Sequence, residues 1–597
     1  MDLGSWKVDG RIPVVVGVTG HRDLVDSLSA RREIDKVLEE IHSRFPASPL
    51  RGISALADGA DRIFGRAILE AGYSLFAPLP LPRELYEMDF SSDSKKDFQD
   101  ICENHLTHSY VLPFLDGSDA TNTRDQGNLR NRQYAAVGVH IARKAHILIA
   151  LWDGDQNNEA VGGTNWVVRY RRGPVAPHKY NFDDWRALFG ERSLLDLPEF
   201  GLLYQIPVVR MSGSPIEDST PRWLTQDWDV SCEELSETSD RRHRAVCELA
   251  RLNDYNALVL KRGGVTLPEE DLGVSVDAHT RRLPAGVGKE EFTTEDHIDL
   301  EIDMQFRMAD QLANVGVNRI RHFRTAVFLV ASLVALAIST FYVWHGWLVL
   351  LVYLIITLSF LVLIRVQRRQ EFSSSSEQLR ALAEALRVQY YWHRMGIRET
   401  VAHHYLQRHQ IGMGWVLTAL LGASTSPDHD SSLATRSQLT EEWFGGQRSY
   451  YERRLKEYKH QTRLLNGSAI RLLWLGVAVA AVDFAALVSH LVRPESTGET
   501  VFTALMSFFA LGAALVKGYL EMGSHEDDIK QYTRMGILFA AAELESAAVV
   551  ESQEGNSVAI AKLLLDNTSI RVGKEALREH ADWALVHESR EPALLAG

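Results

Sequence analysis

The sequence VVVGVTGHRDL, residues 14–24, joins a buried strand to a polar loop. Its first residues are β-branched and apolar, which predicts a strand in the core of a sheet. The stretch then supplies Gly17, Thr19, Gly20, His21 and Arg22. Glycines let a ligand approach the backbone closely, and the polar side chains donate hydrogen bonds, the arginine to two phosphate oxygens at once. The stretch predicts a phosphate-binding loop, with a tight polar turn as the alternative.

Two further loops of this kind follow in the chain. One lies in ALADGADRIFGRAILEAG (55–72) and the other in ALWDGDQNNEAVGGTNWVV (150–168). Loops at the carboxyl ends of parallel strands meet at one edge of a sheet, so the three loops together predict one ligand site. The candidate residues of the two later loops are Asp58, Gly59, Asp61, Trp152, Asp153, Gly154, Gly162, Gly163 and Thr164.

The chemistry of these side chains suits a nucleotide. Carboxylates suit ribose hydroxyls, and Trp152 can stack on a base. Two alternatives stay open at this point. Trp152 also fits a plain core position, and Asp58 and Asp61 also fit the cap of a helix N-terminus.

The surrounding pattern predicts an α/β domain with a mostly parallel sheet over residues 1–215. Short apolar runs alternate there with amphipathic helical patterns, which is typical of such a sheet. Residues 216–291 have little periodicity and are assigned to an insertion or linker around one helix, near residues 240–260. The runs predicted as strands are residues 12–18, 52–56, 74–79, 110–112, 147–152 and 206–211.

Four long apolar stretches in the second half of the chain predict an all-α membrane domain. Residues 325–344 and 347–364 carry no charged side chain, and each is about long enough to cross a hydrocarbon core of roughly 30 Å. Residues 472–492 and 501–516 form a second pair. Each pair predicts a transmembrane hairpin with long cytoplasmic helices, in segments 292–422 and 437–597 joined by a linker at 423–436. Core helices of a soluble protein are the alternative.

Charged residues orient these spans. Arginines and lysines precede the first and third spans and follow the second and fourth, whereas the outer loops hold only Arg493. The positive-inside rule therefore places both termini and every large soluble segment in the cytoplasm. Polar residues inside a bilayer are costly and are expected to face protein or water. Those of the second pair are Asp483, His490, Ser507 and Lys517.

The composition restricts the partners. The chain has 78 Asp and Glu residues against 64 Lys and Arg residues, a net charge of −14. Duplex nucleic acid requires a basic face, so we expect no such partner. The three cysteines show no disulfide or metal-ligand spacing, which predicts a reducing compartment and no bound metal.

Five motifs occur in order over about residues 10–215: GVTGHRDL, LADGADRI, LPLPRELYEMDF, ALWDG and GGT. In this order they resemble the SLOG superfamily, Rossmann-like domains related to the DNA-processing Smf and DprA proteins and to the Lonely Guy nucleosidases. The membrane half is similar in layout to the SLATT type of effector. The combination implies a nucleotide-sensing domain joined to a membrane effector of the bacterial inner (cytoplasmic) membrane, as in antiphage defence.

The resemblance implies a nucleotide or a nucleotide-derived second messenger, NAD-derived or cyclic, as the ligand. It also implies that copies of the chain assemble in the bilayer. Lonely Guy enzymes carry a catalytic glutamate three residues after a Gly-Thr pair, where this chain has Val167. Valine cannot transfer a proton, so we expect binding that triggers membrane permeabilisation, without hydrolysis. A membrane-tethered nucleoside or NAD-type hydrolase is the alternative, and a transporter is a third function.

Overall fold

The computed structural model describes residues 8–115, 117–157, 162–172, 201–211, 220–224, 241–262, 294–343, 347–369, 372–405, 409–424, 430–489, 497–522, 525–551 and 558–588. Its N-terminal region is a sheet with helices on both faces. The strands are β1 Val14–Gly20, β2 Leu50–Ile53, β3 Ser74–Leu79, β4 Thr107–Val111, β5 Ile147–Trp152, β6 Leu202–Pro207 and β7 Arg222–Trp223. The helices are α1 Ser27–Arg44, α2 Ala60–Glu70, α3 Arg83–Tyr86, α4 Ser92–Cys102, α5 Asn128–Lys144 and α6 Thr164–Arg172.

The described strands form one sheet in the order β4-β3-β2-β1-β5-β6-β7. All neighbours are parallel except β7, which runs antiparallel to β6. The predicted parallel sheet is therefore confirmed as a Rossmann-like arrangement. The chain builds outward from β1 to β4 and then returns to the other side of β1 with β5. This change of direction creates a crevice between the carboxyl ends of β1 and β5.

The predicted strands coincide with β1 to β5 to within a few residues, but the last one is misplaced. Residues 206–211 were expected to be a strand, whereas β6 begins at Leu202 and pairs with β5 along its whole length. Residues beyond Pro207 leave the sheet, and their backbone instead bonds the segment after β1, through Leu24–Arg210 and Val25–Val209. An apolar run in the sequence does not show which of its residues pair with β5 and which pair with the segment after β1.

The alternation of side chains along β1 separates two apolar layers. Val14, Val16 and Val18 pack with α1, α2 and α4, whereas Val15 packs with α5 and α6. Gly17 points toward α5, where a Cβ atom would lie 2.8 Å from Cβ of Ala145. Its small size therefore serves helix–sheet packing.

The rest of the described chain is helical. Its helices are α7 Arg241–Lys261, α8 Thr294–Val343, α9 Trp347–Arg369, α10 Phe372–Met395, α11 Gln410–Ala423, α12 Leu433–Thr440, α13 Gly446–Val488, α14 Thr497–Met522, α15 His525–Glu551 and α16 Val558–Glu588. Helix α7 confirms the predicted helix near residues 240–260.

Among the described residues, two helical regions are long and apolar enough to cross a membrane, one over Leu433–Val488 and one within Thr500–Glu551. Only 6% and 11% of their most apolar windows is buried inside the protein, whereas a core helix of a soluble protein would be mostly buried. The first contains the predicted third span as far as Val488, and the second contains the predicted fourth span. The first predicted pair lies in α8 and α9, and residues 344–346 between them are outside the described residues.

The amino ends of the strands, here called the amino edge of the sheet, pack against the helical region. The side chain of Asn256 in α7 donates to the carbonyl of Ile12 at 2.8 Å and accepts from its N–H at 2.9 Å. His146 accepts from the N–H of Val15 through Nδ1 at 2.9 Å and donates through Nε2 to the carbonyl of Thr418 in α11 at 2.7 Å. Burial lowers the pKa of His146 to about 4, so it is a neutral bridge near pH 7.

Helix α8 contacts the same edge through a buried ion pair. Arg51 at the start of β2 donates to both carboxylate oxygens of Glu301 at 2.7 Å. One turn further along α8, Gln305 donates to the carbonyl of Arg11 at 3.1 Å. The first turns of α8 are thus fixed to the sheet.

The cysteines differ from the sequence-based expectation. Cys247 is disulfide-bonded, whereas Cys102 is a free thiol whose pKa is raised to about 11 by burial. The predicted absence of a disulfide is therefore wrong. Spacing along the chain carries no information on which residues packing brings together, so cysteine usage does not decide the compartment.

Lys144, the last residue of α5, is buried at the amino edge and donates to Oγ of Ser424 at 3.3 Å. Burial and, to a smaller extent, the nearby charges of Arg143 and Arg51 together lower the pKa of this ammonium to about 7. Below this pKa the folded protein holds a buried charge. Between pH 7 and about 10.4 the unfolded chain binds a proton that the folded chain lacks, so stability rises with pH.

We expect Lys144→Met to raise the thermal unfolding temperature of the full-length protein in detergent. The gain should correspond to a few kcal/mol, be largest below pH 7, and fade as the pH approaches about 10. Lys36→Met on the exposed face of α1 is the control and should change little. An unchanged or lower unfolding temperature of Lys144→Met at pH 6 would contradict the prediction.

Candidate functional site

The three predicted loops lie side by side at the carboxyl ends of β2, β1 and β5, here called the carboxyl edge. These strands are neighbours in the sheet, and the crevice of the fold lies between β1 and β5. The amino edge, which contacts the helical region, is at the other end of the same strands. Any ligand at the carboxyl edge is therefore separated from the helical region by the length of a strand.

Glycines hold the first two loops together. Gly59 caps α2 with φ +76° and ψ −120°, a backbone conformation that is nearly restricted to glycine. A Cβ atom there would lie 2.5 Å from the carbonyl oxygen of Arg22 and 2.6 Å from that of His21. The N–H of Ala60 donates to the carbonyl of His21 at 3.1 Å. Gly20 has no room for a side chain either, because an added Cβ atom would lie 2.3 Å from Cβ of Ala60.

His21 joins the loop after β1 to the loop after β5. Its Nε2 lies 3.0 Å from Oδ1 of Asp153 and 3.3 Å from the backbone nitrogen of the same residue. The ring is buried, and burial lowers the pKa of His21 although Asp153 opposes this effect. The two predicted ligand residues thus bind each other and fix the mouth of the crevice.

Arg22 differs from His21 in that its side chain is exposed to solvent. The guanidinium lies over the ring of Tyr134, 5.4 Å from its centroid. Desolvation lowers the pKa of Arg22, but the neighbouring Tyr86 and Tyr134, followed by Asp61 and Asp89, together raise it by more. Arg22 is therefore a permanent cation that is held against an aromatic ring at the crevice.

Asp61 is the second residue of α2 and is buried next to this cation. Burial raises the pKa of its carboxyl to about 7, against the opposing effects of Arg22, the N–H of Ala57 and Ser54. The carboxyl titrates near neutral pH, which is the range of a general acid or base.

Asp58, by contrast, binds its own scaffold. Its Oδ1 lies 3.1 Å from the guanidinium of Arg62 and accepts a hydrogen bond from Oγ of Ser94. Arg62 is itself buried and donates to Ser94, with its guanidinium 4.4 Å from the ring centroid of Phe90. These contacts connect α2 to α4.

The indole of Trp152 is buried in the core with Trp166 and Val15. In this structure it offers no exposed ring face to a base, and the plain core position is the one observed. Thr19 lies at the end of β1 beside Ala150 of β5.

The glycine-rich part of the third loop is pressed against α5. Gly162 has φ +72°, and a Cβ there would lie 2.8 Å from the nitrogen of Ala135. Gly163 accepts the first hydrogen bonds of α6, and Thr164 is buried at its start. Gly154 has φ +82° directly after Asp153. Val167, in the position of the catalytic glutamate, contacts Gly138 of α5 and faces the core.

Sequence reasoning missed the group of side chains that flanks Arg22. Arg130 of α5 is fully buried, and its NH2 lies 2.8 Å from Oδ1 of Asp89. Asp89 also accepts a hydrogen bond from the hydroxyl of Tyr134, and Tyr86 packs beside that ring. Tyr86 and Asp89 belong to the motif LPLPRELYEMDF, which was recognised without a role for either. The Arg130–Tyr134 pair on an amphipathic helix was the other available signal.

The polar residues predicted for the second pair of spans have different environments. Asp483 is buried within α13, and its Oδ1 has no hydrogen-bond partner among the described residues. Ser507 and Lys517 are exposed on α14. His490 lies outside the described residues.

No protein-family model, curated protein or solved structure matches this chain. The SLOG and SLATT resemblance therefore stays a prediction. Among the residues that the structure describes, no group of three or more His, Cys, Asp or Glu side chains is placed to hold a metal ion.

We expect Gly59→Ala to destabilise the domain more than Gly72→Ala, which is a matched control. Both glycines have a left-handed φ, +76° and +78°, so alanine is strained at either position. At Gly72 a Cβ meets nothing within 4 Å, and the loss should be about 1 kcal/mol. At Gly59 the Cβ also meets backbone, and we expect roughly 2–4 kcal/mol. Thermal or urea unfolding measures both, and equal losses would show that the loops are not held in contact there.

Proposed function

We propose that this protein is a membrane-embedded effector that senses a nucleotide-derived signal and responds by permeabilising the membrane, in bacterial antiphage defence. The observation that carries the proposal is Arg22, an exposed residue after β1 whose guanidinium lies over Tyr134 at the crevice between β1 and β5. This is where Rossmann-like sheets bind ligands.

The chemistry around Arg22 supports a phosphate ester with hydroxyl groups. The guanidinium can donate to two phosphate oxygens. Its position over Tyr134 already restricts the side chain of Arg22, so less side-chain entropy is lost when a ligand binds. The carboxyl groups of Asp61 and Asp89 lie beside it and are acceptors for ribose hydroxyls. NAD-derived and cyclic nucleotides both combine these groups.

Helix α8 supports a connection from the sheet to the membrane. It is one continuous helix of 50 residues, and Glu301 near its start binds Arg51 of the sheet. Its final part, residues 325–343, is the first predicted span. A helix transmits a displacement more faithfully than a flexible linker does. The route from ligand to membrane would then follow β1 over roughly 20 Å, from the carboxyl to the amino edge, and continue along α8.

The surfaces of α8 and α9 support the two additional spans. Large apolar side chains point outward from both helices, among them Leu329 and Leu333 in α8 and Leu354 and Leu358 in α9. A soluble protein rarely exposes such a continuous apolar surface to water, whereas lipid covers it without cost. Helix α14 packs against α8, with the rings of Phe328 and Tyr519 4.9 Å apart. All four spans would thus form one bundle in the bacterial inner membrane, with both termini in the cytoplasm.

We expect Arg22→Ala to weaken nucleotide binding by about 10- to 100-fold, because a charge-assisted hydrogen bond contributes about 1.5–3 kcal/mol. Isothermal calorimetry of the detergent-solubilised protein, with NAD, ADP-ribose and cyclic and linear ribonucleotides as probes, measures the effect. Arg31→Ala, an arginine of α1 that pairs with Asp35 and Glu70, is the control. If Arg22→Ala and Arg31→Ala bind the best probe as tightly as the parent does, the loop is only a turn.

The second candidate function is a membrane-tethered nucleoside or NAD-type hydrolase, and Asp61 is the observation in its favour. A buried carboxyl with a pKa of about 7 beside a cation is suited to proton transfer at neutral pH. Against it, the position of the Lonely Guy glutamate is Val167, whose side chain faces the core.

We expect binding without turnover. The protein should release no free base from NAD or from nucleoside monophosphates, because Val167 stands where the related nucleosidases have a glutamate and the carboxyl of Asp61 is also needed beside Arg22. Chromatography of long incubations with each nucleotide provides the measurement. Base release that is lost in Asp61→Asn but kept in Asp100→Asn, an exposed acid that pairs with Arg66, would establish the hydrolase instead.

A further inference from the structure

Helix α13 has two exposed arginines where its candidate membrane span begins. They are Arg463 and Arg471, and neither forms an ion pair with any residue that the structure describes. Between Glu457 and Asp483 the helix has no acidic residue, whereas exposed cations are usually interspersed with acids along a helix. The two guanidinium groups therefore lack a counter-charge on their own helix.

The surface between the two arginines is open. Gly467 lies midway between them, four residues from each, and a Cβ atom at Gly467 would meet nothing within 4 Å. Residues four apart are neighbours on one side of a helix, so the three residues form a single surface about 12 Å long. We call Arg463, Gly467 and Arg471 the α13 basic site. Its glycine lets a ligand approach the helix backbone between two cations.

This surface is directed away from the neighbouring helix α14. A Cβ atom at Gly512 of α14 would lie 3.6 Å from Cδ1 of Leu472, so Leu472 marks the side of α13 that packs on α14. Arg463 comes nine residues before Leu472, which is two and a half turns, and it therefore lies on the opposite side. The α13 basic site thus belongs to the outer surface of the helix pair.

Trp474 indicates the depth of this surface in a bilayer. It follows Arg471 by three residues, about 4.5 Å along the helix, and is 68% exposed. Exposed indole rings are concentrated at the membrane–water interface, where the ring is apolar and its N–H reaches water. The exposed side chains beyond Trp474 are apolar, among them Val477 and Phe484. The α13 basic site therefore lies on the polar side of the interface, at the level of lipid phosphates.

We propose that the α13 basic site binds the phosphate of an anionic phospholipid in the cytoplasmic leaflet. The inference rests on the proposed function, because only a chain that spans the membrane with its termini in the cytoplasm brings this surface to the headgroups. A guanidinium donates to two phosphate oxygens at once, and two of them on either side of a glycine can hold one phosphate. A zwitterionic headgroup has its own ammonium group, whereas an anionic one leaves its charge to the arginines. The apolar surface beyond Trp474 receives the acyl chains, which a soluble phosphate lacks.

Thermal unfolding of the full-length protein in a non-ionic detergent, with phospholipid added to the micelles, tests the site. We expect phosphatidylglycerol to raise the unfolding temperature more than phosphatidylcholine does, because a ligand that binds the folded state stabilises it. In the double variant Arg463→Gln, Arg471→Gln, the phosphatidylglycerol concentration that gives half of this extra rise should increase about 10-fold or more.

The matched control is the double variant Arg453→Gln, Lys456→Gln. It removes the same charge from exposed positions of the same helix. Lys456 comes 15 residues before Arg471, about 22 Å along the helix, which is well beyond the Debye length of about 8 Å. The control should respond to phosphatidylglycerol as the parent does.

Gly467→Leu separates a shaped site from a general attraction of charges. Leucine fills the open space between the arginines but keeps both charges, and it favours a helix more than glycine does. The variant should therefore fold and yet lose the extra rise with phosphatidylglycerol.

Three results would overturn the lipid site while the protein stays in the membrane fraction. They are an equal response of the parent to both lipids, an unchanged response of the arginine variant or of Gly467→Leu, and an equal loss in the control. The same extra rise with inorganic phosphate in place of lipid would assign the arginines to a soluble anion. Recovery of the parent protein in the soluble fraction would overturn the proposed function itself.

Discussion

The ion pair between Arg51 and Glu301 is the contact on which the arrangement of the two regions depends. Both side chains are buried, and both N–O distances are 2.7 Å. Loss of one partner would leave an unpaired buried charge, which costs about 3–5 kcal/mol. The guanidinium also lies 4.3 Å from the ring centroid of Phe76, so its orientation is set from the sheet side. Helix α8 can therefore dock in one position, and the direction of the first predicted span follows from it.

The amino and carboxyl edges of the parallel sheet differ in the groups that satisfy their polar backbone atoms. Polar backbone groups at the amino edge are satisfied by the helical region, through Asn256, His146 and Gln305. At the carboxyl edge, loop backbones are satisfied by one another, as in the contact of Ala60 with His21, and Arg22 is left facing solvent. For the proposed nucleotide binding, the packing of the loops would be an advantage, since a cation that is already held in place loses less entropy when a ligand arrives.

The exposed apolar side chains of the helical region, like those of its core, are explained by which parts of the chain pack against them. Apolar side chains on α8, α9, α13 and α14 are exposed because no part of the described chain covers them, whereas the aromatic side chains of α13 and α15 stack on each other beyond the spans. On α14, small and polar exposed side chains such as Ser507 and Ala510 lie on the same helix as large apolar ones such as Leu505, which is also exposed.

The amino-acid sequence by itself determined the parallel sheet, the three loops at its carboxyl edge and the apolar length of the two candidate membrane helices. These features follow from local periodicity and from the residues at strand ends, which neighbours in the chain specify. Only the tertiary structure decided that Asp58 binds Arg62 and Ser94, that Trp152 is buried, and that Tyr134 lies beneath Arg22. Tyr134 is more than a hundred residues from Arg22 along the chain. These contacts depend on how the helices pack on the sheet, and local sequence patterns do not specify that packing.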